Sequence, residues 1–243
     1  MTATGPPPLR DAFDSCDNKS RYVRRLFSTI ADRYDLITVL LSYGQDRRWK
    51  RRLATLSAAG PRTRVLDLAC GTGDIALAVA SRGARVVGLD ITHRMVQLAR
   101  AKKAPAGAVI EFVTGDIMAL PFQNEQFHVV TTGYGLRNVP DLVHAIAEMR
   151  RVLKPAGLLL SLDFNRPANP LVRAVYLTYL TVVGAALGLI LHRDPDTYRY
   201  IPESIRRYPG AREVAAMMDR QGFTMSEYMP VLGGLMAIHR ARK

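Results

Sequence analysis

The stretch RVLDLACGTGD, residues Arg64–Asp74, decides the fold of this 243-residue chain. Its first part is apolar and predicts a short buried strand. Gly71 and Gly73 then let the backbone turn sharply and lie close to a ligand, and Asp74 is a residue type that caps the start of a helix. A turn of this kind at the carboxyl end of a strand is where open α/β sheets bind nucleotide-like ligands.

The spacing of the glycines narrows the kind of ligand. The turn is neither a dinucleotide-binding Gly-x-Gly-x-x-Gly nor a phosphate-binding P-loop, because no Gly-Lys-Ser/Thr follows it. The form Asp-x-x-Cys-Gly-Thr-Gly resembles the first motif of methyltransferases that use S-adenosylmethionine (SAM). Taken by itself, the motif is also compatible with a tight turn that binds nothing.

The segments after this motif alternate between strand and helix. Apolar runs typical of strands recur at residues 84–90, 109–116, 127–135 and 157–164, with helical spacing at 74–83 and 142–153. Such alternation implies a parallel sheet with right-handed crossovers. Two further strands, 223–231 and 235–242, are joined through Gly233 and Gly234 and predict an antiparallel hairpin. The predicted fold class is therefore α/β, a Rossmann-like, mostly parallel seven-stranded sheet with a C-terminal antiparallel hairpin. Class I SAM-dependent methyltransferases have this architecture.

A single domain accounts for nearly the whole chain. We expect residues 1–17 to form a flexible N-terminal tail, because the chain opens with a proline-rich stretch, and residues 18–243 to form one methyltransferase domain. Within it, residues 18–60 are predicted to form a helical cap with a break near Ser42-Tyr43-Gly44. Residues 168–210 are predicted to form an insertion that covers the substrate and faces the membrane.

The net charge of +13 indicates an acidic partner. Residues 1–64 hold 13 lysines and arginines against 6 aspartates, concentrated at 19–27 and 46–53. Such runs suit nucleic acid or an anionic membrane surface, or they are solvated helix faces. Their aromatic and apolar neighbours favour a surface-binding role, and we expect an anionic membrane and no nucleic acid.

The cysteines and the N-terminal residues indicate the cellular compartment of the protein. Cys16 and Cys70 are far apart and provide neither a disulfide framework nor zinc-ligand spacing. The first residues lack the basic-then-apolar pattern of a signal peptide. We therefore expect a cytoplasmic protein, peripherally associated with the inner face of the membrane, with no metal in its site.

Acidic residues end the next two strands. Asp90 ends the second strand, 17 residues after Gly73, where a carboxylate can accept hydrogen bonds from both ribose hydroxyls. Asp116 ends the third strand, where the methyltransferase resemblance implies contact with the adenine, together with the backbone N–H and apolar face of Ile117. Singly, each acid is as well explained by a helix cap or a loop, but their order and spacing match one cofactor.

The same resemblance implies contacts to the rest of SAM. Gly71 and Thr72 would contact the methionine part, and Asp67 would lie near its cationic amine. Gly133, at the end of the fourth strand, would be close to the methyl-transfer side, and Gly73 completes the binding loop. The expected cofactor is SAM, with S-adenosylhomocysteine as its product.

Longer stretches resemble the ubiquinone/menaquinone biosynthesis C-methyltransferase family (UbiE/MenG). They are FSTIADRYDLITVLLSYGQDRRWK (27–50), ALPFQNEQFHVVTTGYGLRNVPD (119–141), RVLKPAGLLLSLDFNRP (151–167) and much of 196–240. The resemblance implies SAM-dependent C-methylation of a prenylated quinol ring, closest to the demethylmenaquinone methyltransferases. The chain departs from the family at Thr38 and Val39, where Asn-Asp is usual, and at His128, where Asp is usual. The first departure bears on substrate choice.

Methylation of a quinol ring carbon requires a neighbouring hydroxyl to ionise, because ionisation places electron density on that carbon. Arg137 stays protonated in proteins, so we expect it to stabilise the phenolate or polarise a water, with Asn138 orienting it. Tyr34, from the cap, would hydrogen-bond the quinol oxygen. A structural turn is the alternative for Arg137 and Asn138. His239 is a weaker candidate that strand packing explains equally well.

Residues 174–191 form an uncharged run of 18 residues, at the lower limit for a membrane-spanning helix. The run contains Gly184 and Gly188 in GxxxG spacing. Three interpretations stay open: it lines a channel for the quinone tail or docks on the bilayer, it is an ordinary buried helix, or it spans the membrane.

Other functions are compatible with parts of the sequence. Another small lipophilic phenol, including the ubiquinone-pathway ring, would suit the same site. Charge alone suggests a nucleic-acid methyltransferase, but residues 132–135 lack the Asn/Asp-Pro-Pro-aromatic run that base-directed enzymes usually carry. A non-catalytic SAM-binding subunit is disfavoured by the intact cofactor acids. The quinone head group, the tail length and the oligomeric state stay open, a homo-oligomer included.

Overall fold

The computed structural model describes residues 8–42 and 44–243. Residues 1–7 of the predicted tail, and Tyr43 of the predicted helix break, lie outside the described residues.

The chain already packs against the domain before residue 18. Ala12 is buried, and the ring of Phe13 stacks on Tyr200 with 5.7 Å between the ring centroids. The first long helix begins at Cys16, where the side chain of Ser15 accepts a hydrogen bond from the backbone N–H of Asn18. This is the N-cap geometry that serine favours.

A seven-stranded sheet of order β3-β2-β1-β4-β5-β7-β6 forms the centre of the fold. The strands are β1 Arg64–Leu68, β2 Arg85–Asp90, β3 Val109–Thr114, β4 Phe127–Gly133, β5 Leu153–Phe164, β6 Thr224–Val231 and β7 Met236–Arg242. Strands β1 to β5 are parallel, and β7 runs antiparallel to both β5 and β6. The predicted fold class and its C-terminal hairpin are confirmed.

The described residues also form nine α-helices. They are α1 Cys16–Ile30, α2 Tyr34–Leu41, α3 Asp46–Leu56, α4 Asp74–Ala80, α5 His93–Ala101, α6 Leu142–Val152, α7 Pro170–His192, α8 Tyr200–Arg207 and α9 Ala211–Arg220. Strand β5 begins four residues earlier than the sequence indicates, because Phe127 of β4 pairs with Leu153 directly after α6.

Both faces of the sheet are covered, as a parallel sheet requires. Successive strand residues point to opposite faces, so Val65 packs with residues of α3, α4 and α5, whereas its neighbour Leu66 packs with residues of α6 and α9. Trp49 and Leu53 place one face of α3 in the first of these clusters. Helix α3 is therefore both part of the cap and part of the core.

Helix α7 is the main element of the insertion after β5. It starts at Pro170, a residue favoured in the first helical turn, and Asn169 caps it by accepting two backbone N–H groups. Gly184 and Gly188 face the segment that returns from the helix: a Cβ on Gly188 would lie 2.4 Å from the carbonyl oxygen of Asp194. The two glycines thus serve packing within the chain.

Candidate active site

The turn after β1 has the backbone conformation that only glycine adopts without strain. Gly71 and Gly73 have φ angles of 53° and 84°, in the left-handed region. A Cβ on Gly73 would lie 2.8 Å from the ring of Phe112. The turn lies at the carboxyl end of β1 and leads directly into α4, which begins at Asp74.

A cavity lies beside this turn, and we call it the cofactor cavity. Of the predicted site residues, it is lined by Tyr34, Gly71, Asp90, Asp116, Ile117, Gly133 and Asn138. The structure therefore brings together residues from the cap, the glycine turn and three strand ends. Its free volume is about 70 Å³, because Tyr34 and Phe27 of the cap lie over it.

Asp90 holds the shape of the turn as well as facing the cavity. Its Oδ2 accepts a hydrogen bond from the backbone N–H of Gly71 at 2.8 Å, and its Oδ1 accepts one from Thr92 at 2.8 Å. Burial raises the pKa of this carboxyl, and the two backbone donors act against that rise. Each oxygen keeps a further acceptor site that a ribose hydroxyl could use.

Asp67 does not line the cavity but lies buried beneath the turn. Thr131 donates a hydrogen bond to its Oδ1 at 2.8 Å, and the backbone N–H of Ala76, in the first turn of α4, also interacts with this carboxylate. Burial raises the pKa of Asp67 to about 7. A cationic amine bound at the turn would favour the ionised form of this carboxyl.

Thr72 ties the turn to the cap. Its hydroxyl donates to Asp35 of α2 at 2.5 Å and accepts from Lys102 at 2.9 Å. Lys102 also contacts Asp35 at 2.7 Å and Asp74 at 2.6 Å. A hydrogen bond from the Thr72 side chain to the cofactor would therefore compete with the cap.

A second and larger cavity adjoins the first, and we call it the acceptor cavity. It has a volume of about 550 Å³ and lies between α1, α2, α7 and α8. Its lining is mostly apolar, with side chains such as Leu26, Ile30, Ile37, Leu41, Leu180 and Ile201. Phe27, Tyr34 and Tyr134 line both cavities and form their junction.

Arg137 and Asn138 flank this junction from opposite sides. Arg137 lines the acceptor cavity and Asn138 the cofactor cavity, and both side chains donate to the carbonyl oxygen of Tyr134, at 3.1 and 2.7 Å. Arg137 is 6% exposed. Its guanidinium lies over the ring of Phe164 at 4.7 Å, and its Nε has no partner among the described residues.

Asp163 supports Arg137 and was missed as a site residue. It lies at the end of β5, fully buried, with Oδ1 3.7 Å from Nη1 of Arg137 and Oδ2 accepting the backbone N–H of Arg137 at 3.2 Å. Burial raises the pKa of Asp163, against the attraction of Arg137. The sequence carries a signal for it, because an acid stands next to the last residue of the fifth strand, close to where the second strand has Asp90.

His239 is 1% exposed on β7 and its Nε2 contacts the carbonyl oxygen of Ala211 at 3.0 Å, so it packs between strand and helix. No group of metal-ligating side chains occurs within residues 8–42 and 44–243. The residues present fit SAM: a glycine turn, acids at two strand ends and the buried carboxylate of Asp67.

The fold and the paired cavities define a SAM-dependent methyltransferase. Residues 15–243 match the model of the ubiE/COQ5 methyltransferase family, and the chain belongs to that family.

Curated relatives agree with this assignment, and solved structures share the fold. The chain is 39% identical over 233 residues to the ubiquinone/menaquinone biosynthesis C-methyltransferase UbiE of Marinomonas sp. (strain MWYL1), covering 93% of this chain and 92% of the relative. It is 40% identical over 230 residues to the UbiE of Ectopseudomonas mendocina (strain ymp), covering 93% and 90%. A SAM-dependent methyltransferase of Thermotoga maritima shares the fold with a TM-score of 0.64 at 17% identity, covering 91% of this chain and 99% of that one. A putative methyltransferase of Haloferax volcanii, solved with the Trm112 activator, does so with a TM-score of 0.63 at 16% identity, covering 89% and 96%.

The buried Asp67 makes a prediction about pH. Since its pKa is about 7, the carboxyl is mostly neutral at pH 6 and mostly ionised at pH 8, and only the ionised form attracts a cationic amine strongly. We expect S-adenosylhomocysteine to bind about tenfold more weakly at pH 6 than at pH 8, measured by isothermal titration calorimetry.

The variant Asp67→Asn should bind weakly at both pH values and lose this dependence. The matched variant Asp219→Asn, at an exposed position of α9, should keep it. A wild-type pH dependence in Asp67→Asn would show that another group is responsible.

Proposed function

We propose that this protein methylates a ring carbon of a prenylated quinol, with demethylmenaquinol as the preferred acceptor. The observation that carries the proposal is the acceptor cavity, an apolar space of about 550 Å³ that meets the cofactor cavity at Tyr34 and Tyr134. The relatives named as ubiquinone/menaquinone biosynthesis C-methyltransferases add weight to a quinol acceptor.

The lining of the cavity favours a ring that carries a hydrocarbon tail. Tyr34, Tyr134 and Arg137 line the cavity, and the two tyrosines also line the cofactor cavity, while α7 side chains form another part of the wall. Leu171 and Val175 line this wall and are also 72% and 64% exposed. The cavity is therefore continuous with an exposed apolar surface, along which a prenyl tail would leave.

The residues at the junction have roles that follow from their chemistry. Bound SAM supplies an electrophilic methyl group on a sulfonium centre. The guanidinium of Arg137, held by Asp163 and by the carbonyl of Tyr134, stabilises negative charge on a quinol oxygen, which raises the electron density of the neighbouring ring carbon. Asn138, on the cofactor side, orients the junction loop.

Tyr34 closes the junction from the cap. Burial raises its pKa to about 12, so its hydroxyl stays protonated and serves as a hydrogen-bond donor to the acceptor oxygen. A Cβ on Gly71 would lie 3.6 Å from the Tyr34 ring, which shows how closely the cap covers the glycine turn. The cap thus excludes water while it aligns the two reactants.

A panel of acceptors tests the proposed function. Purified protein with labelled SAM should methylate demethylmenaquinol, should methylate the corresponding ubiquinone-pathway quinol more slowly, and should leave RNA unlabelled. Labelling of the ubiquinone-pathway ring at the faster rate would reverse the proposed preference. Labelling of RNA alone would refute the quinol assignment.

Replacement of Arg137 tests the mechanism. Arg137→Ala should lower kcat/KM for the best acceptor at least about a hundredfold, the usual loss when a donor to a developing oxyanion is removed. Binding of S-adenosylhomocysteine should stay within a factor of about two, as measured by calorimetry. Arg212→Ala, at an exposed position of α9, is the matched control and should react as the wild type does. Wild-type turnover in Arg137→Ala would remove Arg137 from the mechanism.

We further propose that the protein docks peripherally on the inner, anionic surface of the cytoplasmic membrane through α7. The helix is long and apolar enough to span a membrane, yet only 28% of its apolar window is buried in the structure. Val182 and Ile190 are 63% and 75% exposed. Arg33 contacts the carbonyl of Leu191 at the end of the helix, so basic charge lies beside the apolar surface, as an interfacial helix requires.

Vesicle sedimentation tests the docking of α7. The double variant Val182→Glu/Ile190→Glu should bind anionic vesicles at least about tenfold more weakly, because it loses two exposed apolar anchors and adds negative charge. The control Val109→Glu, at a 59% exposed position on edge strand β3, should bind as the wild type does. Equal binding of the double variant would contradict docking through α7. A second experiment washes membranes that carry the protein. Release of the protein by high salt supports docking, whereas release by detergent alone indicates insertion.

A further inference from the structure

The junction of the two cavities holds a tyrosine that the sequence did not mark. Tyr134 follows β4, is 8% exposed, and lines both cavities. Its φ angle of 61° lies in the left-handed region, which is unusual for a residue with a bulky side chain. Such a conformation persists where the surroundings hold it. Here its N–H donates to Leu162 at 2.7 Å and its carbonyl accepts from Arg137 and Asn138.

The hydroxyl of Tyr134 is held from the cap side by a buried ion pair. It donates to Oδ1 of Asp46 at 2.8 Å, and Oδ2 of the same carboxylate contacts Nζ of Lys50 at 2.7 Å. Asp46 and Lys50 are 1% and 6% exposed, and Lys50 also contacts Asp74 at 2.9 Å. The carboxylate therefore lies behind Tyr134, out of contact with solvent.

The charges of Lys50 and Asp46 determine which group donates in the hydrogen bond between Tyr134 and Asp46. Burial alone would lower the pKa of Lys50, but the neighbouring Tyr34, Asp46 and Asp74 outweigh burial and raise it above its usual value. Lys50 is thus a cation, and the carboxylate that pairs with it accepts hydrogen bonds and donates none. The phenolic proton of Tyr134 is directed to Asp46, which leaves the lone pairs of the oxygen as its remaining hydrogen-bonding capacity.

We propose that Tyr134 is a specificity-determining residue that selects the reduced form of the acceptor ring. Its oxygen presents a hydrogen-bond acceptor to the junction, and a quinol hydroxyl can donate to it, whereas the carbonyl of an oxidised quinone cannot. This inference rests on the proposed quinol acceptor and on the contacts of Tyr134 with Asp46 and with both cavities.

Selection of the reduced ring also serves the reaction. The hydrogen bond to Asp46 makes the Tyr134 oxygen a stronger acceptor, so a quinol hydroxyl that donates to it gains electron density on its own oxygen and on the neighbouring ring carbon. An oxidised ring, which has no electron density to give to an electrophilic methyl group, would occupy the site unproductively. Tyr134 lowers the fraction of sites that the oxidised ring occupies.

The test compares two forms of one ring. 1,4-Naphthohydroquinone and 1,4-naphthoquinone are titrated anaerobically into the full chain by calorimetry, and emission from Trp49, the single tryptophan of the chain, reports occupancy of the acceptor cavity that it lines. We expect the hydroquinone to bind the wild type about tenfold more tightly, as one hydrogen bond to a polarised oxygen allows. Tyr134→Phe should weaken the hydroquinone alone and bring the ratio close to one.

Two further variants complete the test. Asp46→Asn should tighten quinone binding, because Lys50 then holds the amide oxygen and the amide NH2 faces Tyr134, whose hydroxyl proton is free to donate to a carbonyl. Tyr228→Phe, 41% exposed on edge strand β6, should keep the wild-type ratio. Binding of S-adenosylhomocysteine, measured on every variant, reports that each is folded. An unchanged ratio in Tyr134→Phe, or equal weakening of both forms, would overturn the selection while the proposed function stands. A wild type that binds neither form would overturn both.

Discussion

The site depends on two ion pairs, which Lys50 and Lys102 form with the carboxylate of Asp74. The Nζ of Lys50, from the cap, lies 2.9 Å from this carboxylate, and the Nζ of Lys102, at the C-terminal end of α5, lies 2.6 Å from it. Because Asp74 begins α4 directly after the glycine turn, these ion pairs join the cap to the segment that holds the cofactor. Lys50 is 6% exposed, and a buried charge that loses its partner destabilises a fold strongly. The cap is therefore held in one position.

That position decides what lies at the junction. Lys102 also binds Asp35, which keeps α2 and its first residue, Tyr34, over the glycine turn. Lys50 binds Asp46, which in turn accepts the hydroxyl of Tyr134. The same ion-pair network thus closes the cofactor cavity and sets the polarity of the wall that faces the acceptor. The result is a mostly apolar cavity that meets the cofactor cavity at Tyr34 and Tyr134.

Helix α7 shows how one segment serves two surfaces. Tyr176, Leu177 and Leu180 bury one side of the helix against α8, and the opposite side keeps exposed apolar residues such as Val182. A soluble domain seldom leaves such a surface without a partner. The membrane-borne acceptor proposed above would account for its position beside the cavity.

The sequence by itself determined the sheet, the glycine turn, the acids at the strand ends and the C-terminal hairpin. These features follow from local patterns, because apolar alternation, glycine in the left-handed region and short turns are encoded within about ten residues. Asp163, next to the last residue of β5, belongs to the same pattern of acids near strand ends, and this pattern is sufficient to predict it as a site residue.

The tertiary structure alone decided which residues meet at the junction. Tyr134 and Asp46 are separated by 88 positions along the chain, and Asp46 and Lys50 belong to a run whose composition indicates only an exposed basic helix. Whether a lysine in such a run is solvated or buried depends on the helix face that packs on the sheet, and the burial of Trp49 and Leu53 sets that face. Hydrogen bonds and ion pairs act over a few ångströms of space, so the pairs that make this site became visible only once the chain had folded.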